Sequence, residues 1–343
     1  LQQEDYKKQI MGNDMVIKND VKLSIDGQYV HIEYDKCFAK KVTSRAFPTL
    51  IGKNDFQSQG AEIMGLLNLL EKQDDIDPFY MFRGDVAEHF VGQAVADYFS
   101  KKFGKENVEV IIFADKQFTY GDMWHYDKET KKGDQNFGGR IDIGIKVKDT
   151  STGKVTGFVI EVKSKTHTVY QDVEITNETT GETHTNTLVK KSDWQTIAVD
   201  RKYPETETYQ GIFLANMSNL SSVTMFWVFF NENQEKELRE KLAEYQKTRK
   251  IPQLTFGYKD VTYHSDKIEF DRNNTWTEML VASNNVKKCA KEKKIPMFMF
   301  SANDMKIINQ HIADCERIDD IRGDYNKQDD IEIPQTNPED SPF

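Results

Sequence analysis

The chain has 343 residues, 38% of them hydrophobic, enough to build one large domain with an extension or two modest domains. No apolar run reaches membrane-spanning length and no signal peptide is evident, so the sequence predicts a soluble, cytoplasmic chain with no membrane partner. Three widely separated cysteines, Cys37, Cys289 and Cys315, exclude a disulfide framework and fall short of the four thiolates of an iron–sulfur cluster, so none is expected.

Residues 20–34 alternate weakly between apolar and polar and predict one or two strands, and residues 55–72 predict a helix. A turn at 74–78 leads into residues 82–99, where Ala87, Val91, Ala94, Val95 and Tyr98 form the buried stripe of an amphipathic helix. Glu88 borders that stripe. Gly84, one turn earlier, is expected to let the helix approach another element closely. Residues 108–118 hold a short strand, and 120–135 a polar, aromatic-bearing loop or ribbon.

From Ile141 to Lys148 the alternation is strict, with Ile141, Ile143, Ile145 and Val147 on one face and Asp142 on the other. Turn formers at 149–153 then lead into the continuous apolar run Gly157-Phe158-Val159-Ile160, which completes a hairpin. Glu161 and Lys163 follow, two residues apart and therefore on one face, beside Asp142. Burying such charges costs several kcal/mol, of order 3–5 or more, unless they are paired or bind a metal. The plain reading is a surface hairpin with a Glu–Lys salt bridge. The other is a site for a hard cation such as Mg2+, with Lys163 orienting or deprotonating water or stabilising charge on a phosphate.

The helix motif Gly84-x-x-x-Glu88, then Gly139-Arg140-Ile141-Asp142, then Glu161-Val162-Lys163 resembles the PD-(D/E)xK nuclease superfamily, and within it the RecB-type and lambda-exonuclease or YqaJ-like phage recombination exonucleases. Residues 42–52, with Ser44 and Arg45, are similar to that group's phosphate-contacting segment. Residues 203–216 resemble its glutamine-bearing helix, with Gln210 in place but Leu214 where many relatives have tyrosine. The resemblance implies an α/β restriction-endonuclease-like core, a mixed central sheet flanked by helices, with a mostly helical C-terminal extension. It also implies a Mg2+-dependent deoxyribonuclease, with Mn2+ as a substitute metal, working at duplex DNA ends from 5′ to 3′ in phage-type recombination. The metal would be held by Asp142, Glu161, the Val162 carbonyl and Glu88, with Lys163 activating water. Ser44, Arg45, Arg140, Lys165 and Gln210 would contact DNA. A structure- or site-specific endonuclease and a non-catalytic DNA-end scaffold are the alternatives. A homotrimer and a single-strand annealing or recombination protein are the partners implied.

The formal charge of −10 runs against DNA binding, but Lys and Arg gather beside each motif, at 40–45, 101–105, 163–165, 190–191, 201–202 and 247–250. Residues 166–191 are an insertion, predicted as a protruding hairpin, whose His167 and His184 are expected to be exposed rather than coordinating. Residues 223–230, VTMFWVFF, read as a central strand and 234–247 as a charged helix. The nuclease core is placed at 1–250 and the extension at 251–318, with a small hairpin at 254–270 and helices at 277–294 and 303–317. Residues 319–343 predict a disordered acidic tail, whose last residues, Pro342 and Phe343, resemble the partner-docking tip of bacterial single-stranded-DNA-binding proteins.

Overall fold

The computed structural model describes residues 15–36, 41–53, 57–71, 77–112, 118–119, 137–148, 150, 152–167, 169–176, 183–190 and 192–328. In chain order, β1 (Lys22–Asp26) and β2 (Tyr29–Glu33) form an antiparallel hairpin. The short β3 (Val42–Thr43) precedes helices α1 (Ala46–Leu50), α2 (Gln59–Leu66) and α3 (Pro78–Phe103). Ser58 caps α2 by accepting from the Ala61 amide at 3.1 Å, and Asp77 caps α3 by accepting from the Phe79 amide at 2.9 Å, with Pro78 where a missing N–H costs nothing. Strands β4 (Val108–Ile112), β5 (Phe118–Thr119), β6 (Phe137–Gly139), β7 (Ile143–Lys148), β8 (Val155–Thr166), β9 (Val169–Thr176) and β10 (Thr183–Lys190) follow. After them come α4 (Glu205–Met217), β11 (Ser222–Phe230), α5 (Glu232–Thr248), β12 (Thr262–Glu269), α6 (Arg272–Glu292), β13 (Lys294–Pro296) and α7 (Ala302–Gln328).

These elements divide into two compact units, one of residues 1–39, 56–72 and 287–343, the other of residues 40–55 and 73–286. In the first, β13 joins the hairpin to give the order β1-β2-β13, and Val30, Ile32 and Ile295 are buried. A Cβ at Gly60 of α2 would lie 2.5 Å from the Phe300 ring, so helix and turn meet there at glycine distance.

The second unit is built on a mixed five-stranded sheet in the order β12-β11-β8-β7-β4, in which β8 and β11 run parallel and the other neighbours antiparallel. Trp227, Phe229 and Phe230 of β11 are fully buried, as the run VTMFWVFF requires of a strand covered on both faces. On one face α3 and α5 pack Phe79, Phe82, Val86, Phe90, Val91, Leu238 and Tyr245 against Ile143, Ile145, Ile160, Val162, Val228 and Phe230. Each such side chain contributes about 1.5–3 kcal/mol by burial. Helix α4 contacts β11 and β8.

Residues 254–270 do not form the expected hairpin. Only 262–269 are a strand, and they pair with the edge of β11, which offers a ready ladder that a two-stranded hairpin lacks. Helix α7 continues to Gln328, into the stretch expected to be disordered. Gly84 is not a close-approach glycine, since nothing lies within 4 Å of where its Cβ would be. The insertion is an antiparallel two-stranded hairpin, β9 with β10. Residues 120–135, Cys37, Pro342 and Phe343 lie outside the described residues.

Candidate active site

Strand β8 presents two chemistries because its side chains alternate. Ile160 and Val162 join the apolar core beneath α3, whereas Glu161, Lys163 and Lys165 meet α4. The contacting stripe of α4 is Glu207, Gln210, Gly211 and Leu214, at the i, i+3, i+4, i+7 spacing of one helix face. Glu207 pairs with Lys165 at 2.5 Å, and Gln210 accepts from Lys163 at 3.0 Å. A Cβ on Gly211 would lie 2.7 Å from Met225 Sδ and 3.3 Å from the Glu161 Cβ. Glycine at that position therefore brings α4 down onto the sheet beside Glu161, and Leu214 reaches the Gly139 backbone in the same way.

Asp142 sits where the β7–β8 ladder stops. Ile143↔Ile160 is the last pair, and beyond it the Val162 amide has no main-chain acceptor on β7. The Asp142 carboxylate takes that place, accepting from Val162 N at 2.8 Å. A buried donor left unmet would cost about 1–3 kcal/mol, so the chain needs an acceptor here. Asp142, 7% exposed, is held against the residue between Glu161 and Lys163.

Glu88 arrives from α3. Its Oε1 accepts from Arg140 Nη2 at 2.9 Å, and the same nitrogen lies 3.9 Å from Asp142 Oδ1, so one guanidinium faces both carboxylates. Lys163 Nζ lies 2.6 Å from Glu161 Oε1. The sheet end thus gathers three carboxylates around two cations.

The acids feel one another. Burial, then Asp142, pushes Glu161 up to about 8, against the pull of Lys163. Burial and Asp142 likewise push Glu88 up to about 7, against the pull of Arg140. Asp142 is raised by burial, against the pull of Lys163, the Val162 amide and Arg140 on its charged form. Burial pulls Lys163 down, but Glu161, Asp142 and Glu207 outweigh it, and the ammonium ends above its ordinary value. Glu161 Oε2 is buried with no partner among the described residues, as is Glu88 Oε2.

The other expected site residues fall in three places. Ser44 is buried and Arg45 exposed at the start of α1. Both are tied to the segment that delivers Arg140, because β3 pairs with β6 and the Ser44 amide donates to the Gly138 carbonyl at 3.1 Å. Gln210 and Lys165 are at the site, on Lys163 and Glu207. His167 stacks on Trp194 with ring centroids 5.5 Å apart.

Two residues were not anticipated. Glu207 holds Lys165, and its signal was an acid one helical turn before Gln210 on the same face. Arg83, 8% exposed, donates from α3 to Glu235 at 2.7 Å and to Ser164 and Thr166 on the core face of β8. Its signal was an arginine among the apolar positions Phe79, Phe82 and Val86.

The donors at the site are all hard oxygens, two of them buried and unmet, which is the type a divalent cation such as Mg2+ takes. As arranged, Arg140 holds Glu88 and Lys163 holds Glu161. Among the described residues no group of three or more His, Cys, Asp or Glu is drawn together to hold a metal ion. No described helix is long and apolar enough to cross a membrane. Comparison of the chain with protein-family models, with curated proteins and with solved structures gave no match.

Proposed function

We propose that the chain is a metal-dependent DNA nuclease of the PD-(D/E)xK type, acting on phosphodiester bonds at duplex ends, from the 5′ side. The observation that carries this reading is the convergence of Asp142, Glu161 and Lys163 where the β7–β8 ladder opens, with Glu88 brought in from α3. A fold seeking stability alone gains little from three buried acids with two unmet oxygens, because isosteric apolar residues would be equal or better by about 1–4 kcal/mol.

Asp142, Glu161 and the Val162 carbonyl would hold the metal, with Glu88 adding a further carboxylate. Bound there, a divalent cation supplies Lewis-acid polarisation of a phosphoryl oxygen and lowers the pKa of bound water. Lys163 remains an ammonium in this environment, so it serves as a donor to the phosphoryl group and offsets charge that grows in the transition state. Gln210 fixes the lysine head from the α4 side, which limits the reorganisation needed at the moment of reaction. Arg45, exposed at the start of α1, would grip a terminal phosphate in a bidentate way.

The test is incubation of 5′-phosphorylated linear duplex and of covalently closed circular DNA with Mg2+, and in parallel with EDTA. Loss of linear DNA alone, dependent on Mg2+, supports the exonuclease. Cutting of circles points to an endonuclease on the same site, and no hydrolysis with Mg2+ or Mn2+ overturns the enzyme reading in favour of a DNA-end scaffold.

A further inference from the structure

Lys165 stands two residues beyond Lys163 on the same face of β8, and α4 engages both. Two strand residues span about 6.6 Å, comparable with the separation of successive phosphates along one nucleic-acid strand. The partner of Lys165 is fixed with unusual care. Glu207 Oε1 receives Lys165 Nζ at 2.5 Å, and its Oε2 receives the Trp227 indole N–H at 3.1 Å. Trp227 is fully buried and stacks on Tyr203 with centroids 4.7 Å apart and planes 15° from parallel. Tyr203 in turn donates to Asp266 Oδ2 at 2.6 Å. Indole, ring stack and phenol hydrogen bond together brace the Glu207 carboxylate. The lysine it holds keeps 20% of its side chain exposed, so the ammonium is located without being sealed in.

We propose that Lys165 is a subsite for the phosphate next to the scissile one, and that Glu207 is its positioning residue. This rests on the nuclease reading for the identity of the substrate and extends it. The chain would need a charged phosphate on one side of the bond it cuts, so that Lys163 and Lys165 address two successive backbone positions as a pair. Glu207 touches no substrate. It holds the Lys165 head over the active face rather than letting a four-carbon stem sample the solvent, and so reduces the ordering that binding must supply. Serving only as a structural tie between α4 and β8, it would affect melting but not the dependence on a neighbouring charge.

The experiment uses duplexes in which a neutral methylphosphonate replaces, one at a time, each phosphate flanking the scissile one. The full-length wild type, Lys165→Ala and Glu207→Gln are compared, with melting curves to confirm folding and Glu207→Asp as the conservative variant. One of the two replacements is expected to lower kcat/KM of the wild type about tenfold, as loss of one charge-assisted contact does. Lys165→Ala should be lower by a similar factor on native DNA and lose no more on the neutral duplex. Glu207→Gln should show a reduced dependence, and Glu207→Asp should regain part of it. Equal sensitivity of wild type and Lys165→Ala at both positions overturns the subsite, and full wild-type sensitivity in Glu207→Gln overturns the role of Glu207. Should the wild type hydrolyse no DNA with Mg2+ or Mn2+, the nuclease reading falls on its own. The same set is then decided by the Kd of each duplex in EDTA, where an identical pattern of loss supports the subsite and its absence refutes it.

Discussion

Replacing Glu161 with Gln should make the metal-free protein more stable, and increasingly so as pH rises. Glu161 titrates near 8 in the folded chain against 4.5 as its ordinary value. Between those values the folded state holds a proton that the unfolded state has released, so stability falls as pH rises through that window and levels off above it. The full interval corresponds to about 5 kcal/mol, and the part between about pH 5.5 and pH 9 to about 3 kcal/mol. Gln keeps the size and the acceptor for Lys163 without any titration. The variant's advantage should therefore grow by about 3 kcal/mol from the acid to the alkaline end, or about 6–12 °C in apparent Tm for a unit of this size. The assay is thermal unfolding in EDTA at a series of pH values. A difference between Glu161→Gln and wild type that stays flat from pH 5.5 to 9 would refute a buried, proton-holding carboxylate at this position.

Lys163→Ala should lower kcat by about 100-fold or more while duplex binding in EDTA weakens little, because the ammonium is placed for charge that develops in the transition state; near wild-type turnover removes it from the site. Arg45→Ala should reduce the preference for 5′-phosphorylated over 5′-hydroxyl ends in competition hydrolysis, and an unchanged preference makes Arg45 structural. Gly211→Ala should cost about 1–3 kcal/mol in urea unfolding, since the new Cβ meets Met225 Sδ at 2.7 Å. Gly84→Ala, with nothing within 4 Å of the added carbon, should gain about 0.5–1 kcal/mol of helix stability instead.

Alternation alone was enough to locate much of the site. The strict period of 141–148 and the charges at the end of 157–163 placed Asp142, Glu161 and Lys163 on neighbouring strands, because a two-residue repeat fixes which side chains share a face. What alternation cannot carry is the contact from another layer. That Gln210 would meet Lys163, or Arg140 meet Glu88, depends on how closely α4 and α3 approach the sheet. That approach is set by glycines such as Gly211, whose sequence context looks like any mid-helix glycine. Gly84 was misjudged for the same reason, since a missing side chain signals either a close neighbour or open space, and only packing distinguishes them. Within the hairpin expected at 254–270 the 262–269 strand is present, but its pairing with β11 was not legible, because a half-exposed edge requires little apolar pattern.

The two faces of β8 treat polar groups in opposite ways, and the contrast bears on function. On the core face, Arg83 is matched donor by donor to Glu235, Ser164 and Thr166, and Thr166 donates to Glu235 at 2.6 Å, leaving a closed network that ties α3, β8 and α5 together. The opposite face of the same stretch is left open. Of the three buried side-chain polar atoms without a partner among the described residues, two are carboxylate oxygens of Glu88 and Glu161. The chain can satisfy buried polar groups, as Arg83 demonstrates one strand face away, so a shortage of partners is not a general failing of its packing. Each unmet carboxylate oxygen costs about 1–3 kcal/mol or more, and both belong to acids whose proton affinity is raised toward neutrality. A proton offsets that cost only in part and only at lower pH, whereas on the proposed reading a bound cation would offset the charge of these acids and release their protons as it bound. On the proposed nuclease reading, this face of β8 is where a positive ligand would bind.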